Sequence, residues 1–235
     1  MTAEEIIEEL KRLGSDGYKR VLLNHGIREP CFGVKISEMK KIVKRTKRDY
    51  RLALELYDSG IYDAMYLAGL IADDTRMTKR DLKRWLAQAY CPPLCGTTVA
   101  WVAAGSSHGW ELGQEWIKSN EPLVACAGWG TLSSLVSISD DEDLDLAELK
   151  RLLQTIQKTI HHAPDPVRYQ MNAFVIVLGS YVRPLTGTAI ETAEKIGPVT
   201  ADMGNTACQI PFAPDYIRKV QARGRIGKKR KSAKC

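Results

Sequence analysis

One short stretch of the sequence combines residue types that could carry out acid–base or metal chemistry. In SSHGWELGQEW, His108, Glu111 and Glu115 follow helical spacing. The two carboxylates are four residues apart and could share a proton or a metal ion. A histidine with two glutamates is also common on the solvated face of a helix, and we favour that interpretation.

A second candidate is the polar, glycine-punctuated stretch KIGPVTADMGNTACQIP, which contains Asp202, Asn205, Thr206 and Cys208. A loop of this length usually has a role or is disordered. Asp202 and Asn205 are therefore candidates for the wall of a binding groove. The alternative is a segment that covers the end of the helical array.

Cysteine spacing gives no metal motif. Cys91 and Cys95 form a C-P-P-L-C pair, but no second close pair of cysteine or histidine faces it, and structural zinc needs about four such ligands. Cys126 stands among small residues with no base nearby in sequence, which is typical of a core thiol. We predict no metal site, no cofactor and no assignable catalytic residue.

Positive charge is concentrated in two segments. Seven bases and one acid lie between Cys31 and Arg48, and nine bases with no acid lie between Arg218 and Cys235. These segments carry +15 and the whole chain only +6, so the remaining residues are net negative by 9. This partition favours contact with a polyanion. The alternative is that ISEMKKIVKRTKR only forms a helix with a solvated basic face.

The basic tail is predicted to follow a phosphate backbone. Gly224 and Gly227 would make it flexible, and no acid after Asp215 neutralises it within its own sequence. Four bases on phosphates would steepen the slope of log affinity against log salt by roughly 3.6. Deleting residues 224–235 is then expected to weaken duplex binding and leave the helical content unchanged.

Helical periodicity runs through nearly the whole chain, which predicts an all-α fold with no sheet of three or more strands. Thr2 and Glu5 are spaced as a capping box, and Gly14 ends the first helix. The acidic N-terminus is unlike a secretory signal, and no apolar run reaches about 18 residues. We therefore expect a monomeric cytoplasmic protein with no membrane partner. Further helices are predicted over 18–24, 35–47, 49–58, 61–73, 78–90, 97–105, 109–118, 122–137, 145–161, 165–183 and 186–196.

Three segments resemble the second helix of a HEAT repeat: DPVRYQMNAFVIVLG, NEPLVACAGWGTLSSLV and SGIYDAMYLAGLIADD. Stacked helix pairs give an α-α superhelix whose second helices line the concave face. We expect this HEAT-like domain to occupy residues 1–217, followed by the basic tail, 218–235. Large aromatics on such helices also pack in cores. The residues expected to wall a groove are Trp101, Trp129, Tyr169 and Asn172, with the loop residues Asp202 and Asn205.

Together with CFGVKISEMKKIVK, these segments resemble the DNA alkylation repair enzyme family, HEAT-like proteins related to alkylpurine DNA glycosylases. The resemblance covers roughly residues 30–185. The ending TACQIPFAPDYIRKVQARGRIGKKRKSAKC resembles that of a bacterial subgroup of the family. The resemblance implies a DNA partner, as a duplex that is damaged or branched, with RNA left open.

The catalytic signature of the family is missing. Its catalytic members carry a Trp-Asp-x-x-Asp-like motif where this chain reads CPPLCGTTVAW, and no Asp or Glu occurs from Cys91 to Gly109. Cys126 stands at the position of a family arginine, and Ile176 and Gly179 stand approximately at those of a tryptophan and an arginine. Without a carboxylate near the glycosidic bond, the ordinary excision mechanism is not expected.

The leading hypothesis is a DNA-binding protein without ordinary glycosylase activity. A base-excision enzyme with relocated catalytic groups, for example Asp202, and a protein-binding helical scaffold are the alternatives. The predicted phosphate-contacting residues are Lys35, Lys40, Lys41, Lys44, Arg45, Arg168, Arg223, Arg225, Lys228, Lys229, Arg230 and Lys231.

Overall fold

The computed structural model describes residues 1–202, 204–206 and 208–234. Met203 and Ala207 of the polar loop and Cys235 of the predicted tail lie outside the described residues. The predicted all-α HEAT-like fold is confirmed, with thirteen α-helices and no strand within these ranges. They are α1 Ala3–Leu13, α2 Asp16–Asn24, α3 Ile36–Thr46, α4 Tyr50–Asp58, α5 Tyr62–Ile71, α6 Lys79–Gln88, α7 Ala100–Gly105, α8 Gly109–Trp116, α9 Pro122–Ile138, α10 Leu146–Thr159, α11 Asp165–Tyr181, α12 Thr186–Ile196 and α13 Ala213–Ala222.

The first helix forms as its capping residues predict. The amide of Glu5 donates to the Thr2 hydroxyl at 3.3 Å, and the Thr2 amide donates to the Glu5 carboxylate at 3.0 Å. This pairing satisfies two donors that the start of a helix leaves free. The helix ends at Gly14, as predicted.

Two elements differ from the predicted pattern. The helix expected over 97–105 begins earlier, with a wide π-helical turn, Leu94–Val99, that leads into α7. The segment from Ala213 forms α13, whose Ile217 is buried against Gly179 of α11. Because α13 continues to Ala222, the predicted domain boundary between 217 and 218 falls inside a packed helix.

An inner layer consists of α5, the π-helical turn with α7, α9, α11 and α13, each in contact with the next. α4 packs on α5, α8 on α9 and α12 on α11. The apolar core forms two clusters that meet on α9, with Ala127 in the first and Ala125 in the second. A core that extends from one repeat to the next is expected of a solenoid.

Small residues let the inner helices approach closely. All ten residues of α5 are buried, and most of α9 is buried too, because neighbours cover several sides of each helix. At the tightest point, a Cβ on Gly130 of α9 would lie 2.4 Å from the carbonyl oxygen of Gly96 in the π-helical turn. Because the atom contacted belongs to backbone, a side chain at position 130 could fit only if one of the two helices moved.

None of the described helices is by itself long and apolar enough to cross a bilayer. The segments Asp165–Tyr181 and Arg183–Ile196 pass that test only together, and they are bent by 115° at their junction.

Replacing Gly130 with alanine is expected to destabilise the fold by roughly 1–3 kcal/mol through overpacking. Gly187→Ala is the matched control, because Gly187 is an exposed residue of α12 and a Cβ there meets nothing within 4 Å. Alanine at that helical position should raise the free energy of unfolding by at most about 1 kcal/mol. Urea unfolding followed by circular dichroism measures both changes. Equal stability of the two variants would contradict the close contact.

Candidate nucleic-acid interface

Helix α3 presents exposed lysines beside an anchored backbone. The buried carboxylate of Asp63 accepts from the amides of Phe32 at 2.6 Å and Val34 at 2.7 Å, and so fixes the segment that enters α3. Met39 and Ile42 bury one side of the helix. The opposite, basic side is left to solvent, as the helical spacing predicts.

Two of the five predicted contact residues on this segment have acidic partners. Lys41 pairs with Glu38 at 2.7 Å, and Arg45 pairs with Glu9 at 2.6 Å. Both pairs are partly exposed, so each is weak and available for exchange with a phosphate. Lys35, Lys40 and Lys44 are exposed and have no ion-pair partner within the described part of the chain.

The chain beyond α13 does not hang free. Residues 223–234, which we name the C-terminal strap, run back across the ends of the inner helices. The amide of Gly227 donates to the carbonyl of Ser180 at the end of α11 at 2.9 Å. The amide of Arg230 donates to the carbonyl of Ser137 at the end of α9 at 2.8 Å. Both contacts satisfy carbonyls that the last turn of a helix leaves without partners.

Two lysines anchor the strap. The Lys229 ammonium donates to the carbonyl of Val136 at 3.0 Å and pairs with Asp141 at 2.8 Å. Lys234, five residues later, makes the same two kinds of contact. Its ammonium donates to the carbonyl of Ala72 at 2.7 Å and pairs with Asp74 at 2.6 Å. Cations are favourable at helix C-termini, where the helix dipole is negative.

These contacts correct two expectations about the tail. Gly224 and Gly227 adopt φ values of 63° and 75°, so they form turns that suit glycine rather than loosening a free arm. The acids that neutralise part of the tail come from the body of the protein, at Asp74 and Asp141. A phosphate could reach Lys229 only by breaking its ion pair.

The two basic segments converge at the end of α5. Burial raises the pKa of Asp74, and the positive charges of Lys234 and Arg48 act in the opposite direction. Burial likewise lowers the pKa of Lys234, Asp74 opposes that shift, and Arg48 adds to it. The amide of Asp49, the residue after Arg48, donates to the carbonyl of Ile71 at the end of α5 at 2.9 Å, and the Lys234 ammonium donates to the next carbonyl, that of Ala72. The end of the segment from Cys31 to Arg48 and the end of the strap therefore meet at the C-terminus of α5.

The remaining bases of the strap are available to a partner. Each is exposed and has no ion-pair partner among residues 1–202, 204–206 and 208–234. They form a second set of positive charges, in addition to the exposed bases of α3. These bases are Arg223, Arg225, Lys228, Arg230 and Lys231.

Two of the expected groove residues are buried. Trp129 is only 1% exposed and packs edge-to-face on Phe174, so it belongs to the core. Asn172 is 4% exposed, and its amide donates to the carbonyl of Pro211 at 3.0 Å. The groove expectation is wrong for both, because a neighbouring helix covers Trp129 and the polar loop covers Asn172.

Arg168 also has an internal role. Its guanidinium donates to the carbonyls of Ala163 and Thr200 at 2.8 Å and lies 3.4 Å from Asp165. Arg168 and Asn172 thus hold the polar loop against α11. This agrees with the alternative prediction that the loop covers part of the helical array. Phosphate contact by Arg168 would compete with these bonds.

The other groove candidates are at least partly open to solvent. Tyr169 is exposed, and burial of part of its ring raises its pKa. Trp101 is half-buried, edge-on to Tyr66. Asp202 is exposed and accepts from the amide of Gly204 at 2.8 Å, and Asn205 is exposed beside it. A role for these four residues in a groove stays a prediction.

The acidic pair on α8 has structural partners. Glu111 pairs with Lys79 at 2.6 Å, and Glu115 pairs with Lys83 at 2.7 Å, so both carboxylates face α6. Lys79 holds the pKa of Glu111 below its usual value. Within the described residues, no three His, Cys, Asp or Glu side chains lie together as metal ligands.

The comparisons with known proteins agree with this architecture. The family model described as DNA alkylation repair enzyme matches residues 6–208. The chain belongs to the DNA alkylation repair enzyme family. Two Listeria proteins, Lin0241 of L. innocua and Lmo0209 of L. monocytogenes, are each 28% identical over 230 residues, covering 95% of this chain and 99% of their own.

A solved structure is similar over its full length. It is 34% identical, covers 100% of both chains and has a TM-score of 0.92. That protein is described as part of a new family related to the HEAT-like repeat DNA glycosylases, with affinity for branched DNA structures.

In this member of the DNA alkylation repair enzyme family, helices pack closely where the resemblance places the catalytic motif. A Cβ on Gly96 would lie 2.4 Å from the Gln170 amide nitrogen and 2.9 Å from the Cys126 sulfur. Burial raises the pKa of Cys126 to about 12, so its thiol stays protonated near neutral pH. No carboxylate and no thiolate is supplied by these three residues.

Sequence reasoning missed a row of serines in the buried helix α9 and at the end of α11. Ser133, Ser137 and Ser180 line a cleft of about 370 Å³ beside the strap. Polar residues three or four apart in an otherwise apolar helix were the signal available in TLSSLVS.

Replacing Lys234 with methionine is expected to lower stability by about 1–3 kcal/mol, because Asp74 keeps its buried charge and loses its partner. Lys231→Met, on the exposed part of the strap, should change it by less than about 0.5 kcal/mol. Urea unfolding measures both.

The deficit of Lys234→Met should depend on pH. Without Lys234 the pKa of Asp74 in the folded state rises further above its unfolded value, so folding favours the protonated acid. The deficit relative to wild type therefore shrinks as pH falls toward about 4. A deficit that grows on acidification would contradict the Asp74 pairing.

Proposed function

We propose that this protein binds DNA through the phosphate backbone, using the bases of α3 and the C-terminal strap. The convergence of the two segments at Arg48 and Lys234 carries the proposal. Asp49, next to Arg48, and Lys234 bind the adjacent carbonyls of Ile71 and Ala72, so two basic segments that are distant in sequence meet on a body that is otherwise net negative. A positive surface of this kind attracts a polyanion and orients it.

The structural relative supports a branched or distorted duplex as the DNA. Its affinity for branched DNA is a property of that protein, and the shared fold supports carrying the property over. The inner helical layer is rigid, and it carries bases near the C-terminus of α5 and along the strap. This arrangement suits two duplex segments that meet at an angle. Phosphate contacts of this kind position a duplex without reading its sequence.

The proposal excludes ordinary excision of alkylated purines. Gly96, Cys126 and Gln170 occupy the catalytic position with contacts between helices, and no acid lies from Cys91 to Gly109. Stabilising a developing sugar cation needs a carboxylate or an equivalent charge at that point.

Changing Lys35, Lys40 and Lys44 together to glutamine should reduce the slope of log affinity against log salt by about 2.7, at roughly 0.9 per phosphate contact. The control carries the same charge change at the exposed residues Lys118, Lys158 and Lys195, and its slope should stay within about 0.5 of wild type. Fluorescence anisotropy with a four-way junction and a linear duplex at several salt concentrations gives the slopes. Equal losses in the two variants would mean that only net charge matters.

Methylated duplex DNA incubated with the pure protein should release no 3- or 7-methylpurine above the spontaneous rate. A chromatographic assay of the free base, with an active alkylpurine glycosylase as positive control, tests this. Release at a catalytic rate would favour the alternative of relocated catalytic groups.

A further inference from the structure

The cleft beside the strap combines hydroxyls and cations in one place. It lies between α9, α11, α13 and the strap, with a volume of about 370 Å³, within the roughly 300–1,000 Å³ of small-molecule sites. No acidic residue belongs to its described lining. Its lining includes the hydroxyls and cations of Ser133, Ser180, Arg223, Arg225, Lys228 and Arg230.

Two of the serines are unusual for buried residues. Ser133 is 8% exposed and Ser180 is 4% exposed, and neither hydroxyl has a hydrogen-bond partner within the described residues. A buried hydroxyl without a partner costs stability, and most such groups in native proteins are paired. Side chains that are kept unpaired in a cleft are ready to bond a ligand.

The charge around the cleft fits a phosphomonoester better than a backbone phosphodiester. A diester carries one negative charge and leaves two oxygens unbridged, whereas a monoester carries about −1.5 to −2 and three acceptor oxygens. Four cations and two hydroxyls exceed what a single diester needs. Arginine forks in particular match the oxygen pairs of a terminal phosphate.

Aromatic residues extend the site toward a nucleotide. Tyr216 of α13 is 48% exposed, and half-buried Tyr181 lies at the end of α11, both on the cleft wall. A ring beside a phosphate cradle gives a base a surface on which to stack.

We propose that this cleft binds the phosphomonoester of a nucleotide, either the terminal phosphate of a nucleic-acid strand or a free nucleotide. The first source rests on the proposed function and would direct the protein to DNA with exposed strand ends. The anchors Lys229 and Lys234 hold the strap in place, and this positions Arg225, Lys228 and Arg230 on the cleft.

The test compares duplexes of one sequence that end in a 5′-phosphate, a 3′-phosphate or a hydroxyl, together with a small closed circle that has no end. Anisotropy or competition at fixed salt gives the affinities. The wild-type chain should prefer a phosphorylated end by roughly tenfold, as expected for hydrogen bonds to a charged group. Ser133→Ala with Ser180→Ala should reduce this preference to about twofold or less and leave binding to the circle unchanged.

The serine variant has a built-in control for folding. Removing hydroxyls that have no partner should leave the melting temperature unchanged or raise it. If the variant melts lower, Arg225→Gln with Lys228→Gln replaces it. Binding to the circle then falls too, because both bases belong to the proposed DNA surface, so the readout is the ratio of affinities for phosphorylated and hydroxyl ends, which should drop to about twofold or less. Lys150→Gln with Lys158→Gln, on exposed positions of α10, is its charge-matched control.

Equal binding of phosphorylated and hydroxyl ends, beside normal salt-dependent binding to the circle, would exclude the strand end as the source of the phosphomonoester and leave the proposed function intact, and thermal shift with the free nucleotide and phosphate then decides the cleft proposal. If no DNA binds, the proposed function fails, and deoxyadenosine monophosphate, inorganic phosphate and deoxyadenosine are compared by thermal shift. Stabilisation by the monophosphate that Ser180→Ala abolishes would assign the cleft to a free nucleotide. No stabilisation by either phosphate would overturn the cleft proposal as well.

Discussion

The negative ends of the inner helices determine the course of the last twelve described residues. α11, α9 and α5 end along one edge of the inner layer, and each leaves backbone carbonyls without helical partners. Lys229 and Lys234 each bridge such a carbonyl and the carboxylate of an aspartate that follows the helix. Because these two cations are used internally, the bases between and before them stand at fixed positions on the surface. The shape of the basic surface thus depends on helix ends that are far away in sequence.

Most of the helical architecture could be predicted from local pattern, since apolar spacing and capping residues are properties of neighbouring positions. The Thr2–Glu5 capping box and the bounds of α9 within one residue are examples. The position of the strap could not be predicted, because Lys229 finds Asp141 across 88 residues and Lys234 finds Asp74 across 160. Composition showed that the tail was basic, but only tertiary packing shows which of its charges have partners. Trp129 and Asn172 were misassigned for the same reason, since a polar or aromatic residue on an inner helix is exposed only if neither the next helix nor a loop distant in sequence covers it.

The position where the resemblance places the catalytic motif of the family is occupied by close helix packing. Close packing needs small residues where helices meet, and Gly96, Cys126 and Gly130 meet that need. A charged carboxylate placed there would lose its hydration between closely packed helices, at a cost of several kcal/mol. The polar groups of this chain lie instead along the edge with the strap, where helix ends, serines and bases come together. The surface that we propose for binding lies at the edge of the inner layer rather than in its middle.

Hydrogen–deuterium exchange of the strap, with and without a four-way DNA junction, tests the central claim most directly. If the strap is docked, the amides of Gly227 and Arg230 are protected in the free protein, because they donate to Ser180 and Ser137. Adding the junction should then increase protection along residues 223–234 and in α3, and leave α10 unchanged. Exchange of the free strap at the rate of an unstructured peptide, with protection only after DNA is added, would contradict the account.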